Sequence, residues 1–201
     1  MDKLSSMLNE HINTFNSANT PEILSKIKYF ADTIINCIKH GNKVLIAGNG
    51  GSAADAQHFA AELVVRLKYN RNAIPAIALT TDTSIITAIG NDFGYDKIFS
   101  RQIEALGKPG DIFIGISTSG YSGNIISSTT VAKDMGICTL VLTGKTGGEL
   151  CSIIDTSNVI IAPSNNTARI QEFHEFVLHA IAEIVEDYFC ELPTTLKGRG
   201  F

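Results

Sequence analysis

Long apolar runs are missing from this sequence. No stretch approaches the roughly 20 residues that a membrane-spanning helix needs, so a membrane role is not expected. Met1 to Glu10 lacks the basic-then-apolar pattern of a secretory leader, and the expected compartment is the cytoplasm. Cysteine is scarce: Cys37, Cys138, Cys151 and Cys190 match no zinc-finger or redox spacing, and all lie in or beside apolar stretches. They read as reduced core thiols, not as a disulfide framework. Positive charge is also short, with 16 Lys and Arg against 20 Asp and Glu and a net charge of −4. That balance disfavours wrapping of nucleic acid, while leaving local dipoles free to bind a phosphate. Linkers, repeats and low-complexity segments are absent as well.

What is present is a globular composition, 44% hydrophobic and 18% charged over 201 residues, enough for one domain spanning 1–201 with its own core. Residues 2–16 read as a first helix. A second begins at Thr20-Pro21, where the threonine can cap and the proline suits the first helical position. Ile23, Leu24, Ile27, Phe30, Ala31, Ile34, Ile35 and Ile38 follow at helical spacing, and Gly41 closes the helix. Short apolar runs then read as buried strands: Lys43–Ala47, Ile74–Leu79, Asp111–Ile116, Cys138–Leu142 and Asn158–Ala162. Helical patterns separate them, and a long helix is expected from about Thr167 to Tyr188. Unalternating strands joined by helices predict an α/β fold, a doubly wound parallel sheet of about five strands with helices on both faces.

In such sheets ligands bind beyond the carboxyl ends of the strands. Directly after the first strand comes Gly48-Asn49-Gly50-Gly51-Ser52. Glycines admit an anion close to the backbone, and the next helix aims its free N–H groups at the same place. No Gly-Lys-Ser/Thr follows, so this is not a Walker loop. Gly48, Gly50 and Ala53 fit a permissive dinucleotide pattern, but the candidate acid, Asp82, lies further along than the expected roughly 20 residues. After the third strand comes Ser117-Thr118-Ser119-Gly120-Tyr121-Ser122-Gly123-Asn124. Hydroxyls and main-chain N–H groups at a helix start can surround one phosphate without Lys or Arg. A dinucleotide enzyme has no need of that cluster, whereas a monophosphorylated sugar does. No nucleotide cofactor is expected.

These segments resemble the SIS (sugar isomerase) family, and within it the sedoheptulose 7-phosphate isomerases. The resemblance is carried by AGNGGSAADAQHFAAEL at 47–63, PAIAL at 75–79, GNDFGYDKIFSRQIEALG at 90–107, GISTSG at 115–120, LTGKTGGEL at 142–150 and TARIQEFH at 167–174. It implies substrate contacts at Asn49, Gly50, Gly51, Ser52, Glu62, Asn91, Asp92, Ser117, Thr118, Ser119, Ser122 and Gln171. It implies Glu62 and His179 as the reacting residues, and zinc held through His58, Glu62, Gln171 and His179. It also suggests a homotetramer, with the N-terminal helices at 2–40 contributing to assembly and sites at subunit interfaces. Ala168 stands where some members carry an acidic residue, and the tail 191–201 matches no family role.

Ketose–aldose isomerisation moves a proton between adjacent carbons. It needs a general acid/base, ideally two, and stabilisation of an enediolate. Glu62 lies on the helix that starts at the phosphate loop, and His179 on the last helix. His58 and Glu62, four apart, share a helix face and can share a metal. Gln171 and His179 are eight apart, an axial rise of roughly 12 Å; either they reach toward one metal or each serves a different site across an interface. Arg66 can contact sugar or pair with Glu62. His174 reads as a core histidine, and His11 and His40 as surface residues. Three rivals stand beside the heptose isomerase: a non-catalytic SIS regulator that binds a phosphosugar or the replication initiator, an isomerase for another phosphosugar, and, more remotely, a nucleotide-binding oxidoreductase. Glu62 and His179 favour an enzyme over the regulator, and QHFAAEL favours the heptose branch.

Overall fold

The computed structural model describes residues 2–191, so the expectation placed on the tail lies outside the described residues except for Glu191. Helices α1 (Lys3–Ala18) and α2 (Pro21–Lys39) lead into a repeating strand–helix order. This runs β1 (Val44–Gly48), α3 (Gly51–Val64), β2 (Ala76–Ala78), α4 (Thr83–Asp92), α5 (Ser100–Leu106), β3 (Ile112–Ser117), α6 (Gly123–Asp134), β4 (Cys138–Gly144), α7 (Leu150–Ile153), β5 (Val159–Ala162) and α8 (Thr167–Glu191). Single 3₁₀ turns at Tyr95–Lys97 and Thr156–Asn158 complete the order.

The helix ends follow the local chemistry. Thr20 Oγ1 accepts from the Ile23 N–H at 3.3 Å ahead of Pro21 at the first turn of α2. The other end closes in a Schellman motif, with Gly41 N–H on Ile38 O at 3.0 Å, Asn42 N–H on Cys37 O at 3.2 Å, and Gly41 at φ +74°. Asp82 caps α4 by accepting from the Ile85 N–H at 2.9 Å, which accounts for an acid too distant to serve a dinucleotide ribose.

All five strands are parallel, in the order β2-β1-β3-β4-β5. The strand expected at Ile74–Leu79 is shorter, because Pro75 has no N–H for a ladder and the Ile74 N–H turns instead to Leu63 O at 3.1 Å. The alternate residues of β1, β3, β4 and β5 enter different cores. Val44, Ile46, Ile112, Ile114, Ile116, Leu140, Leu142 and Ile160 pack with Phe30, Phe59 and Phe173 from α2, α3 and α8. Leu45, Ala47, Phe113, Val141 and Val159 pack with Ile89, Ile103, Ile125 and Leu150 from α4, α5, α6 and α7. Burial on both faces is why these strands read as continuous apolar runs. The buried Asp111 carboxylate ties the foot of β3 to that of β1, accepting from the Lys43 N–H at 3.0 Å and from Lys43 Nζ at 2.6 Å. None of the four cysteines forms a disulfide, and burial pushes the Cys37 thiol up to about 12. Among the described residues, no helix is long and apolar enough to cross a membrane.

Candidate active site

In the order 2-1-3-4-5 the chain reverses direction of winding between β1 and β3, and the crevice beyond their carboxyl ends is the expected ligand site. The two loops singled out in the sequence are the ones that leave these neighbouring strands. Gly48 allows no side chain, since a Cβ there would lie 2.4 Å from Ser52 O. Gly50 takes φ +55°, open to glycine at little cost. No side chain caps α3, so its first N–H groups face the crevice available to an anion. Asn49 joins the loops: its amide exchanges two 2.8 Å hydrogen bonds with the buried Asn124 at the start of α6, and Tyr95 Oη donates to Asn49 Oδ1 at 3.2 Å.

The second loop is held from within and from behind. Ser117 Oγ lies 3.0 Å from Ser122 Oγ and accepts the Gly120 N–H at 3.1 Å, while Ser119 Oγ accepts the Tyr121 N–H at 3.2 Å. Each hydroxyl still has capacity to meet a phosphate oxygen. Behind it, a Cβ on Gly120 (φ +73°) would lie 1.9 Å from Gly147 O, and the Leu150 N–H bonds Gly120 O at 3.1 Å. The glycines of the 142–150 segment are the backing of the Ser-Thr-Ser loop. Thr118 is half-buried there.

The residues expected to react come from two packed helices. Helix α3 presents Asp55, His58 and Glu62, and α8 presents Gln171, Glu175 and His179. Glu62 Oε1 lies 3.2 Å from His58 Nε2 and 3.3 Å from His179 Nε2, and the two imidazole nitrogens are 3.1 Å apart. The donor atoms of these three residues all lie within 4.8 Å of one another. Glu62 is buried, and its Oε2 has no hydrogen-bond partner. Burial raises its pKa against the lowering pull of His179 and His58, and the charge of Glu175 raises it further. Tetrahedral ligands at about 2.0–2.1 Å from a metal stand about 3.3–3.4 Å apart. The trio therefore fits a divalent cation, and its orphaned carboxylate oxygen fits one too. Gln171 Nε2 donates to Asp55 Oδ1 at 3.3 Å, and its amide lies over Gly51, where an added Cβ would meet it at 2.4 Å. Gln171 thus links the metal-type cluster to the phosphate-type loop. A cavity of about 390 Å³ opens between Ala54, Asp55, His58, Ala168, Gln171 and Glu175.

Other expected residues are placed differently. Arg66 does not pair with Glu62; it is exposed and bonds Asn70, because it leaves the end of α3 on the solvent side. Asn91 and Asp92 are exposed at the end of α4 and bond each other at 2.7 Å. His174 is a core residue, fully buried with Nε2 2.9 Å from Thr143 O. His40 is a surface residue, but His11 is tied down, stacked on Phe15 and 2.7 Å from Glu172. Sequence reasoning missed Asp55, Glu175, Asn124 and Arg71. Positions 171, 175 and 179 share a helical face, so a strict reading of i, i+4, i+8 would have found Glu175. Arg71 carried no comparable signal. Its guanidinium donates to the carbonyls of Glu62 (2.6 Å) and Leu63 (2.7 Å), and its Nε lies 3.4 Å from Glu186 of α8. Glu186 in turn accepts the N–H groups of Leu67, Lys68 and Tyr69, so this clamp fixes the end of α3 that carries Glu62.

Fold and site together define a doubly wound α/β protein with two anion-directed loops at its switch point and a carboxylate–imidazole cluster beside them. The chain belongs to the SIS-domain family, whose model matches residues 9–144, and within that family to the phosphoheptose isomerases. It is 54% identical over 153 residues to the phosphoheptose isomerase of Aliarcobacter butzleri, covering 76% of this chain and 80% of that protein. It is 49% identical over 183 residues to that of Trichlorobacter lovleyi, covering 91% and 92%. The solved structure of a phosphoheptose isomerase from Francisella tularensis superposes with a TM-score of 0.88 at 38% identity, covering 92% of this chain and 97% of that one.

Proposed function

We propose that this chain is the aldose–ketose isomerase that interconverts D-sedoheptulose 7-phosphate and D-glycero-D-manno-heptose 7-phosphate, an early step in making heptose for a bacterial surface polysaccharide. The observation that carries the reading is the Glu62–His179 pair beside the two loops, in a chain about half identical to phosphoheptose isomerases over most of its length. The phosphate is held by the N–H groups of Gly50, Gly51 and Ser52 and by the hydroxyls of Ser117, Thr118, Ser119 and Ser122. Asn49, Asn91, Asp92 and Gln171 meet the sugar hydroxyls. Anchoring the phosphate sets the sugar's carbonyl end against α3 and α8, and a group held in this way reacts as if at very high local concentration.

Glu62 and His179, 3.3 Å apart, then move the proton between C1 and C2 through an enediolate. Burial that raises the Glu62 carboxyl makes it the stronger base. Zinc is the ion this donor set suits, held by His58, Glu62 and His179 with Gln171 the fourth residue of the set. When bound, it supplies Lewis acidity toward the oxyanion that develops on the substrate. The protein works in the cytoplasm as a homotetramer. Incubating the purified chain with sedoheptulose 7-phosphate should yield an aldoheptose phosphate, followed by coupled assay or mass-resolved chromatography. Binding of the sugar phosphate without any conversion would instead favour a regulatory role.

A further inference from the structure

Tyr95 lies outside both loops of the site, yet its hydroxyl is fastened to one of them. It sits in the 3₁₀ turn after α4, which Gly94 opens at φ +89° and the Lys97 N–H closes on Gly94 O at 3.1 Å. The buried side chains of Ile98 and Phe99 root that turn in one of the two cores. The Asp96 carboxylate lies against the start of α6, where a Cβ on Gly123 would meet it at 2.5 Å. The Tyr95 ring itself is 61% exposed, so burial does little to hold it. What holds it is the 3.2 Å hydrogen bond from Oη to Asn49 Oδ1.

An amide oxygen offers two lone pairs, and an amide nitrogen two N–H groups. Asn49 Oδ1 accepts from Asn124 Nδ2 at 2.8 Å and from Tyr95 Oη at 3.2 Å, which uses both lone pairs. Asn49 Nδ2 donates one N–H to Asn124 Oδ1 at 2.8 Å. The N–H used in such a reciprocal pair is the one on the carbonyl's side of the amide, so the second points away from the buried Asn124. The pair alone does not choose this direction, because turning both amides over keeps both bonds. The phenol chooses it: its oxygen lone pair is drawn into the ring, and it donates more readily than it accepts. We propose that Tyr95 is a positioning residue. It acts through Asn49, turning the amide so that its second N–H is presented to an acceptor oxygen of the bound sugar phosphate. The proposal rests on the reading of Asn49 as a substrate contact.

The test measures calorimetric affinity and KM for sedoheptulose 7-phosphate on the purified full chain. Wild type is compared with Tyr95→Phe, Asn49→Ala, Asn49→Asp and the double variant Tyr95→Phe with Asn49→Ala, each checked by circular dichroism and thermal unfolding. Tyr95→Phe removes one hydroxyl from an exposed ring and should leave the melting temperature near that of wild type. It should weaken binding by about 2–10-fold, the worth of one neutral hydrogen bond. KM should rise while kcat holds, as for a contact made equally in ground and transition states. In the Asn49→Ala background the same change should cost nothing further, because residues acting through one another are not additive. Asn49→Asp keeps an acceptor for Tyr95 but loses both N–H groups, and should bind no better than Asn49→Ala. Unchanged affinity in Tyr95→Phe would overturn the proposal, and so would an equal further loss on top of Asn49→Ala, which would make Tyr95 an independent contact. Wild-type affinity in Asn49→Asp would show Asn49 accepting, and in Asn49→Ala would remove the contact itself; either overturns the proposal. Wild type that binds the sugar phosphate without converting it would sink the isomerase reading alone, since the affinity comparison still decides on Tyr95. If Asn49→Ala does not fold, Asn49→Ser supplies the background.

Discussion

At Glu62 one oxygen is shared between two imidazoles and the other, buried, has no hydrogen-bond partner. A structural carboxylate would be expected to have both oxygens satisfied, so the arrangement makes sense for a group that meets substrate or metal. Glu62→Gln and His179→Gln keep size and polarity but remove proton transfer, and each should lower kcat by about 10²–10⁴. Substrate affinity should hold better, because the proposed phosphate anchor lies in the loops. Metal content and affinity measured on the same samples separate lost chemistry from lost zinc; near-parental kcat in both variants would remove the pair from the reaction. His174 is buried too, but it works through stability. Burial lowers its pKa to about 4 from the ordinary value of about 6.5. Between those pH values the unfolded chain takes up a proton that the folded one refuses, so stability falls as pH falls through the window and is untouched above it. Asp55, which burial pushes up to about 6, acts in the opposite sense as pH falls from about 6. Comparison with His174→Gln isolates the histidine. From pH 7.5 to 5, wild type should lose about 2 kcal/mol more than the variant, read from urea midpoints. Equal losses would mean that His174 can be protonated in the fold.

At the scale of elements, glycine separates backbone conformation from packing. Gly41 and Gly120 have nearly equal φ, +74° and +73°. A Cβ on Gly41 meets nothing within 4 Å, whereas on Gly120 it would lie 1.9 Å from Gly147 O. Gly41→Ala should cost about 1–2 kcal/mol, the ordinary penalty of a left-handed alanine. Gly120→Ala should cost clearly more and also weaken binding of sugar phosphate, since the Ser117–Ser122 loop and its backing cannot keep their places. Thermal unfolding with a phosphosugar titration checks both, and equal costs at the two positions would show that the 144–148 turn yields freely. Strands β1, β3, β4 and β5 were readable as apolar runs because they are buried on both faces, and the helix ends because Thr20, Pro21 and Gly41 act locally. The order of the strands was not readable, since β1 lies between β2 and β3 through contacts far apart in sequence. In the site, the Gly-Asn-Gly and Ser-Thr-Ser loops were legible as strand-to-helix junctions. The Arg71–Glu186 clamp was not, because a loop arginine reaching two helix carbonyls leaves no periodic mark.

At the scale of the whole molecule, two features lack a covering surface. Leu4, Met7, Leu8 and Ile12 recur at helical spacing along α1 and are 71%, 43%, 60% and 44% exposed. An apolar cavity of about 200 Å³ lies beside that helix, between Phe15, Ile23, Leu24, Ile27, Phe173 and Phe176. An exposed apolar stripe of this kind marks an association surface. The two imidazoles of the cluster are also open to solvent, with side chains 50% and 43% exposed, whereas proton transfer through an enediolate benefits from excluded water. Assembly through α1 and α2 would cover both, which is why the homotetramer and the chemistry are proposed together. The double variant Leu8→Glu with Ile12→Glu puts two charges into the stripe without touching the cluster. It should keep its helical circular dichroism, sediment at lower mass than wild type, and lose turnover in proportion to the tetramer lost. Raising protein concentration should restore both together, because association is driven by mass action. A wild-type chain that sediments as a fully active monomer would remove the proposed link between assembly and activity. A double variant that stays tetrameric would place the contact surface elsewhere than α1.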